Sequence, residues 1–406
     1  MAQGSVLSLP MEILGEIIGF HANEAEWKPS ATLLACISTT RQFRECALRH
    51  LCAKVTVYLD RPDQLKKLHD CITPAGFSPY MKSVSIILTC RPLREPLCLN
   101  EAIVLPLLDT LIHKLSLRAI TLQGNLSWTN VPPQTRRLLQ SLLQAPTVTR
   151  FRLQWLRDIP PELLSQRSYE EVILIDGGTS TSIIPTEVDT TSLIFNSEFA
   201  RSMNCFFPNL RHVTSYISDQ DNVIWKVIKG CCNTLETIQI QEYPLRTVNV
   251  SPNLEFHMFP RLEEFTYSFL IASTQMLKVY PALFKFLRPS QTSKISCGLQ
   301  TLNMNLDLTD LERSDPTDNS WVARLTASVA NSTWVTLDSI LTNKHYFPAL
   351  RKVTISLKFK KYARSTVDRN GLQEEVQAAL LKVFSASIKA LIPLEIKVNI
   401  DLRDRS

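Results

Sequence analysis

A short apolar repeat constrains the fold of this chain more than any other feature of its sequence. The repeat has the form Leu-x-x-Leu/Val-x-Leu/Ile, and successive copies lie roughly 20 to 50 residues apart along the 406-residue chain. The copies occupy residues 81–88, 112–117, 148–153, 169–175, 210–213, 235–240, 262–267, 299–304 and 350–355. The alternation of apolar and polar positions in each copy predicts a β-strand with one buried face.

Helical patterns fill the intervals between these strands. Apolar residues recur three and four positions apart in segments 105–112, 136–144, 222–232, 281–287 and 334–341. One strand–helix repeat cannot bury its own apolar face, whereas stacked repeats bury a continuous core. The spacing is typical of leucine-rich repeats with insertions. We therefore predict an α/β fold in which residues 55–406 form an irregular leucine-rich-repeat solenoid with a curved parallel sheet.

The ends of the solenoid and two loops complete this prediction. Its first strand is expected at residues 55–59, and a helix at 372–391 followed by a strand at 394–400 would form a C-terminal helical cap. Residues 177–192, which begin with Gly-Gly and are rich in Thr, and the acidic segment 308–319 are predicted loops. Long loops on a rigid scaffold often carry binding specificity, although an insertion without function is the simpler interpretation of both segments.

Residues 5–54 carry three short amphipathic helices instead of the repeat. The first begins at Pro10, whose missing N–H costs nothing in a first helical turn, and apolar residues follow it at helical spacing. The second and third are expected at residues 31–38 and 41–52. Helices this short bury little core by themselves. The apolar face that they leave exposed therefore predicts an interaction site.

The same three helices carry a resemblance to a known domain. Leu-Pro-Met-Glu-Ile-Leu at residues 9–14, Leu-Leu-Ala-Cys-Ile-Ser at 33–38 and Arg-Gln-Phe-Arg-Glu-Cys-Ala at 41–47 resemble, in that order, the F-box of the fungal (mushroom-type) F-box proteins with irregular leucine-rich repeats. One departure is Ile-Ser-Thr-Thr at 37–40, where the family has Val-Cys or Val-Ser. Pro-Ala-Leu-Arg-Lys-Val at 348–353 also resembles the C-terminal part of these proteins.

The resemblance implies a function as well as a domain. F-box proteins bind the Skp adaptor, and through it a cullin, as substrate-recognition adaptors of Skp–cullin–F-box E3 ubiquitin ligases. Apolar side chains of the F-box helices would enter a groove of the adaptor, in a helix-in-groove mode. The adaptor-binding residues that the resemblance implies in this sequence are Leu9, Pro10, Ile13, Leu14, Ile17, Leu34, Ile37 and Phe43.

In this interpretation the solenoid holds an unknown target protein and the chain is not an enzyme. The target would be brought close to a ubiquitin-charged enzyme, which raises its effective concentration without bond chemistry in this chain. The concave sheet face is the expected target site. Its candidate residues are the polar strand positions Arg152, Gln154, Gln239 and Asn303. Two alternatives remain: a stand-alone leucine-rich-repeat scaffold whose N-terminal helices are only a cap, and an enzyme whose site is assembled in space.

Motifs for enzyme chemistry and metal binding are weak. Cys46, His50 and Cys52 lie close together, but a structural zinc site needs four ligands and no second pair follows. The sequence contains no Gly-x-Ser-x-Gly, no phosphate-binding Gly-x-x-x-x-Gly-Lys-Ser/Thr and no His-Glu-x-x-His. Gly177 and Gly178 follow a strand but lack the third glycine of a dinucleotide site. We therefore expect no cofactor and no metal.

Charge and cysteine usage bear on compartment and partners. The formal net charge is 44 − 38 = +6, too little for a nucleic-acid-binding surface, and the cluster Lys358, Lys360, Lys361 and Arg364 is expected to be a solvated strand end. The ten cysteines form no CxxC pair and several lie in apolar runs, which is typical of free thiols. No signal peptide and no membrane-length apolar stretch is visible. We predict a cytoplasmic or nuclear protein that binds neither nucleic acid nor membrane.

Overall fold

The computed structural model describes most of the predicted solenoid and little of the predicted F-box. The described residues are 35–36, 38–72, 78–88, 99–160, 163, 167–175, 186–196, 205–218, 222–243, 258–271, 298–310, 332–344, 347–362, 369–389 and 392–403. The chain divides into two compact units, Met1–Ser182 and Ile183–Ser406, which we call the N-terminal unit and the C-terminal unit. Both have the α/β architecture expected from the repeats.

The N-terminal unit alternates helices with parallel strands. Its strands are β1 (Lys54–Tyr58), β2 (Ser83–Ile87), β3 (Ala119–Ser127), β4 (Arg150–Arg157) and β5 (Tyr169–Ile175), and each pairs in parallel with the next. Its helices are α1 (Arg41–Leu51), α2 (Pro62–Ile72), α3 (Glu101–Lys114) and α4 (Pro133–Leu143). Helix α3 packs between α2 and α4, so the helices form a second layer.

The C-terminal unit continues the same scheme. Its parallel sheet contains β7 (Thr190–Asn196), β9 (His212–Ser218), β10 (Thr237–Tyr243), β11 (Glu264–Ile271), β12 (Thr301–Asp310), β13 (Lys352–Tyr362) and β14 (Leu394–Arg403). The short strands β6 (Thr186–Glu187) and β8 (Cys205–Phe206) pair separately. The helices are α5 (Asn222–Gly230), α6 (Ser332–Leu341), α7 (Arg369–Val383) and α8 (Ser385–Lys389).

One face of each sheet is buried, and the alternation of each strand decides which. In β12 the side chains of Leu302 and Met304 are fully buried, while Asn303 between them is half-buried on the other face. Helix side chains such as those of Trp334 and Phe384, whose rings meet edge to face at 5.9 Å, complete the core. Burying each large apolar side chain contributes roughly 1.5–3 kcal/mol. We call the opposite, half-buried face of each sheet its open face.

A repeated hydrogen-bond arrangement fixes the register of successive strands. Just before β10, the amides of Glu236 and Thr237 both donate to the carbonyl of Arg211, at 2.8 and 3.0 Å. In the N-terminal unit, the amides of Thr149 and Arg150 donate in the same way to the carbonyl of Arg118, at 2.9 and 3.0 Å. Because these repeats begin with two amides on one carbonyl of the repeat before, equivalent positions line up across the sheet of each unit.

The parallel α/β architecture is confirmed, and most predicted strands and helices are present near their predicted positions. One repeat copy is wrong: residues 112–114 belong to α3, and the strand begins only at Ala119. The predicted loop at 177–192 is partly wrong, because β7 starts at Thr190. Of the predicted loop 308–319, residues 308–310 belong to β12 and the rest lies outside the described residues, as does the predicted helix 281–287.

The C-terminal cap differs from its prediction in one respect. The helix expected at residues 372–391 is two helices, α7 and α8, separated at Phe384. Ser387 at the start of α8 donates its backbone N–H to the buried carboxylate of Asp338 in α6 (2.8 Å), so a side chain of a neighbouring helix satisfies an amide at the break. The strand predicted at 394–400 is confirmed as β14.

Candidate protein-binding face

Polar side chains form rows across the open face of the C-terminal unit. Because the strands are in register, one residue of each strand stands beside its equivalent in the next. The first row consists of Thr214, Gln239, Thr266, Asn303, Thr354 and Glu395. The second row consists of Tyr216, Gln241, Ser268, Asn305, Ser356 and Lys397. Both rows lie on the side of the sheet away from the core.

Asn303 is held in place by its neighbours on β11. Its side-chain amide nitrogen, Nδ2, donates to Glu264 Oε1 at 2.9 Å and lies 3.2 Å from Thr266 Oγ1. In the second row, Asn305 Nδ2 donates to Ser268 Oγ at 3.1 Å. Such cross-strand pairs orient side chains that would otherwise be mobile. A partner that binds here therefore meets polar groups whose positions are already fixed, which reduces the entropy cost of association.

Charged groups end the rows on β14. Glu395 Oε1 lies 2.9 Å from Lys397 Nζ, and Glu395 Oε2 lies 3.2 Å from Lys352 Nζ. Hydrogen bonds from both lysines lower the pKa of the Glu395 carboxyl, and the bond from Lys397 has the larger effect. The three side chains are well exposed to solvent, so their attraction is screened. This end of the open face therefore presents one carboxylate and two ammonium groups, all of which can form hydrogen bonds.

The open face of the N-terminal unit is less polar. Arg152 and Gln154 lie on it, half-buried on either side of the buried Leu153 in β4. Their register partners on β5 are the half-buried Ile173 and Ile175. Arg152 Nε is buried and has no hydrogen-bond partner among the described residues. This face thus combines apolar side chains on β5 with mostly polar ones on β1 to β4.

The four predicted target-binding residues all lie on the open faces. Gln239 and Asn303 lie in one row of the C-terminal unit, on either side of Thr266. Arg152 and Gln154 lie on a single strand of the N-terminal unit. The sequence did not single out Glu264 and Thr266, which hold Asn303. Both occupy alternate positions of the repeat, but only the strand register reveals the contact. Target binding by these residues stays a prediction.

Of the predicted adaptor-binding residues, only Phe43 lies within the described part of the chain. Leu9, Pro10, Ile13, Leu14, Ile17, Leu34 and Ile37 lie outside it. Phe43 is half-buried in α1, one turn before Cys46 and Ala47, which are fully buried. The last helical turn leads into β1 through Cys52, whose amide donates to the carbonyl of Leu48 at 2.9 Å. Helix α1 is therefore attached directly to the first strand of the sheet.

A metal centre needs several ligating side chains close together. Within the described ranges, no three His, Cys, Asp or Glu side chains come close enough together to hold a metal ion. Burial, and to a lesser degree the neighbouring Cys71 thiol, raises the pKa of the Cys52 thiol, one of the cysteines considered for zinc. Among the helices in the same ranges, none combines the length and the apolar character that crossing a bilayer requires.

No protein-family model and no curated protein matches this chain. The functional interpretation therefore depends on the residues and geometry described above.

Proposed function

We propose that this chain is the substrate-recognition adaptor of a Skp–cullin–F-box E3 ubiquitin ligase. The N-terminal helices would dock on the Skp adaptor, and the parallel strands that follow them in the sequence would hold a target protein. The chain would act by bringing its target close to a ubiquitin-charged enzyme, with no bond chemistry of its own. The proposal extends to a cytoplasmic or nuclear location, where such ligases work.

The observation that carries the proposal is the combination of an F-box-like sequence with an in-register polar sheet face. The first row of that face presents Gln239 and Asn303 on either side of Thr266, with Asn303 fixed by two cross-strand contacts. A stacked sheet that is buried on one face and polar on the other suits protein binding. The F-box-like segments would add a second surface, an apolar one, at the amino end of the same chain.

Helix α1 supports a link between the two surfaces. Its buried residues Cys46 and Ala47 face the body of the unit, and Phe43 remains half-buried. Only two residues, Cys52 and Ala53, separate α1 from β1. An adaptor bound to the N-terminal helices would therefore stand at a fixed position relative to the first repeat, as a rigid ligase arm requires.

Co-purification with a Skp adaptor tests the proposal. The full-length chain should bind the adaptor, and the double variant Leu14→Asp, Ile17→Asp should lose that binding because two charges replace apolar anchors. Val335→Asp, which changes a helix residue that is 52% exposed in the C-terminal unit, is the matched control and should bind as the wild type does. Circular dichroism must show that all three proteins are folded.

The outcomes separate the proposal from its rival. A wild-type chain that fails to bind the adaptor overturns the proposal, whatever the variants do. Equal recovery of the wild type and a folded Leu14→Asp, Ile17→Asp variant also overturns it. Either result favours a stand-alone scaffold, in which the N-terminal helices only cap the repeats.

A further inference from the structure

A groove runs along one edge of the N-terminal unit, at the amino ends of strands β2 to β5. It has a volume of about 910 Å³ and is open to solvent. Its wall includes Lys82, Arg118 and Arg150, together with Glu170. Lys82 and Arg118 lie just before the starts of their strands, and Arg150 is the first residue of β4, on the same side of the sheet as Arg152 of the open face. The adaptor proposal does not use this groove.

The backbone ladder brings the basic residues of this groove together. Lys82 O accepts the amide of Arg118 at 2.8 Å, and Arg118 O accepts the amide of Arg150 at 3.0 Å. The same ladder puts Thr149, and not Arg150, in one row with Lys82 and Arg118, because the amides of both Thr149 and Arg150 donate to Arg118 O. Adjacent strands in a sheet lie about 4.8 Å apart, so Lys82 and Arg118 are neighbours, and Arg150 lies one residue further on, at the start of the next strand. The arrangement is set by the same register that aligns the core, and it does not depend on a mobile loop.

Cations outnumber carboxylates in the groove. Arg150 Nε pairs with Glu170 Oε2 at 3.2 Å, with both side chains about 60% exposed. Lys82 and Arg118 are exposed and form no ion pair with any residue that the structure describes. Two positive charges are thus left for a ligand. An arginine guanidinium can hold a carboxylate with two parallel hydrogen bonds.

The remaining wall indicates which anion fits. Ser116, Thr147 and Thr149 add hydroxyl groups that can donate hydrogen bonds, and among the described residues no aromatic side chain lines the groove. A nucleic acid would be expected to use aromatic stacking platforms in such a groove. An open groove with spaced cations and hydroxyl groups suits an extended peptide that carries carboxylates.

The corresponding edge of the C-terminal unit provides an internal contrast. There the equivalent positions are, in strand order, Arg211, Glu236, Glu263, Gln300 and Arg351. Two adjacent basic positions, like Lys82 and Arg118, do not occur in this row. The paired cations therefore belong to this groove and are not a general property of the repeat.

We propose that the groove formed by Lys82, Arg118 and Arg150 binds an extended acidic segment of a partner protein, rich in Asp and Glu. The statement that this partner is a ubiquitination target rests on the adaptor function proposed above. The binding itself does not, because the groove lies wholly within the N-terminal unit. Electrostatic attraction of this kind accelerates association and selects partners by charge.

Fluorescence anisotropy with the full-length chain tests the groove. The probe is a fluorescein-labelled peptide of alternating Glu and Gly, and the control peptide has Gln in place of every Glu. The Glu peptide should bind and the Gln peptide should not. Raising the ionic strength to about 0.5 M should weaken binding, because exposed charges are then screened.

Two charge-matched variants locate the binding site. Lys82→Glu, Arg118→Glu should weaken binding of the Glu peptide at least about tenfold, because it replaces both attractive charges with repulsive ones. Lys66→Glu, Lys67→Glu changes the same net charge on exposed positions of α2 outside the groove and should bind as the wild type does. Thermal unfolding checks that both variants remain folded.

Several results would overturn the inference. They are equal binding of the Glu and Gln peptides, unchanged binding by a folded Lys82→Glu, Arg118→Glu variant, and an equal loss in the α2 control. Binding of a matched phosphoserine peptide or of poly(A) without binding of the Glu peptide would also reject an acidic partner. Skp binding by the groove variant is measured in parallel. If it persists while peptide binding is lost, the groove and the adaptor function are separate, and if Skp never binds, only the adaptor proposal fails.

Discussion

Gly124 on β3 is a site where adding one methyl group should have a measurable and diagnostic effect. A Cβ built on this glycine would lie 2.5 Å from the backbone oxygen of Leu88 and 2.8 Å from the Leu88 Cβ. None of the described glycines has a positive φ, so Gly124 is not required for its backbone conformation. Only the closeness of Leu88 opposes an alanine here.

The sign of the effect follows from two opposing terms. Replacing a strand glycine by alanine ordinarily stabilises a protein by about 0.4–1 kcal/mol, because the unfolded chain loses freedom. The clash acts against this gain. Leu88 is fully buried and its amide donates to Gln123 O at 2.7 Å, so it cannot move without disturbing the core and a backbone hydrogen bond. Overpacking of this kind costs about 1–3 kcal/mol. We expect Gly124→Ala to lower the free energy of unfolding by about 1–2 kcal/mol.

Urea unfolding followed by amide hydrogen exchange measures the effect and locates it. Exchange should accelerate in β2 and β3 of the variant, since repeat proteins open locally. Gly230→Ala is the matched control, because a Cβ at this helix-terminal glycine meets nothing within 4 Å. It should raise the free energy of unfolding by about 0.5–1 kcal/mol. A Gly124→Ala protein as stable as the wild type, or shifted in the same direction as Gly230→Ala, would refute the contact with Leu88.

Three further predictions concern two buried groups of the C-terminal unit. Asp338→Ala leaves the amide of Ser387 without its 2.8 Å acceptor and should lower the free energy of unfolding by about 1–3 kcal/mol. Asp338→Asn keeps an acceptor oxygen, so its free energy of unfolding should fall by less. Urea unfolding measures both. Burial raises the pKa of the Cys231 thiol to about 11, so iodoacetamide at neutral pH should alkylate the exposed Cys71 and spare Cys231, as peptide mass mapping will measure. In the unfolded chain the Cys231 thiol returns to its ordinary pKa of 9.0 and ionises more readily, so its contribution to stability should be lost as the pH rises from 9.0 towards 11.

The strands were predictable because the core imposes their pattern. In Leu299-Gln-Thr-Leu302-Asn-Met304 every apolar position that the repeat names is fully buried. Strand β7 was missed because it has no leading Leu and follows a Thr-rich stretch. Its signal was only Leu193 and Phe195, both fully buried and two residues apart. One apolar pair is too short to distinguish a strand from a loop that packs.

The misplaced copy at residues 112–117 has a related physical cause. The last turn of helix α3 contains the apolar Leu111 and Ile112, and Leu115 and Leu117 follow soon after the helix ends at Lys114. A strand-like alternation therefore begins inside the helix. The true repeat starts at Leu117, and the amide of Arg118 donates to Lys82 O at 2.8 Å to begin it. Sequence spacing alone does not identify the residue whose amide starts a ladder.

The candidate sites were less predictable than the fold, because they depend on neighbours that are far apart in sequence. The alternation placed Asn303 on the open face, but its contacts with Glu264 and Thr266 span 39 and 37 residues. The basic groove was not predicted, because Lys82, Arg118 and Arg150 look like ordinary exposed charges in the sequence, and only the folded sheet brings their strand ends together.

The ladder also explains how one fold can carry several surfaces. Two amides on one carbonyl fix the offset between repeats, and the buried alternate positions hold the core constant. The residue that follows the leading apolar position of a repeat can then vary without disturbing the offset between repeats or the core. It is basic at Lys82 and Arg118 and acidic at Glu236 and Glu263. A repeat protein of this kind can therefore change its partners through substitutions along one edge while its core packing stays the same, and the charge reversal proposed for the groove tests this separation directly.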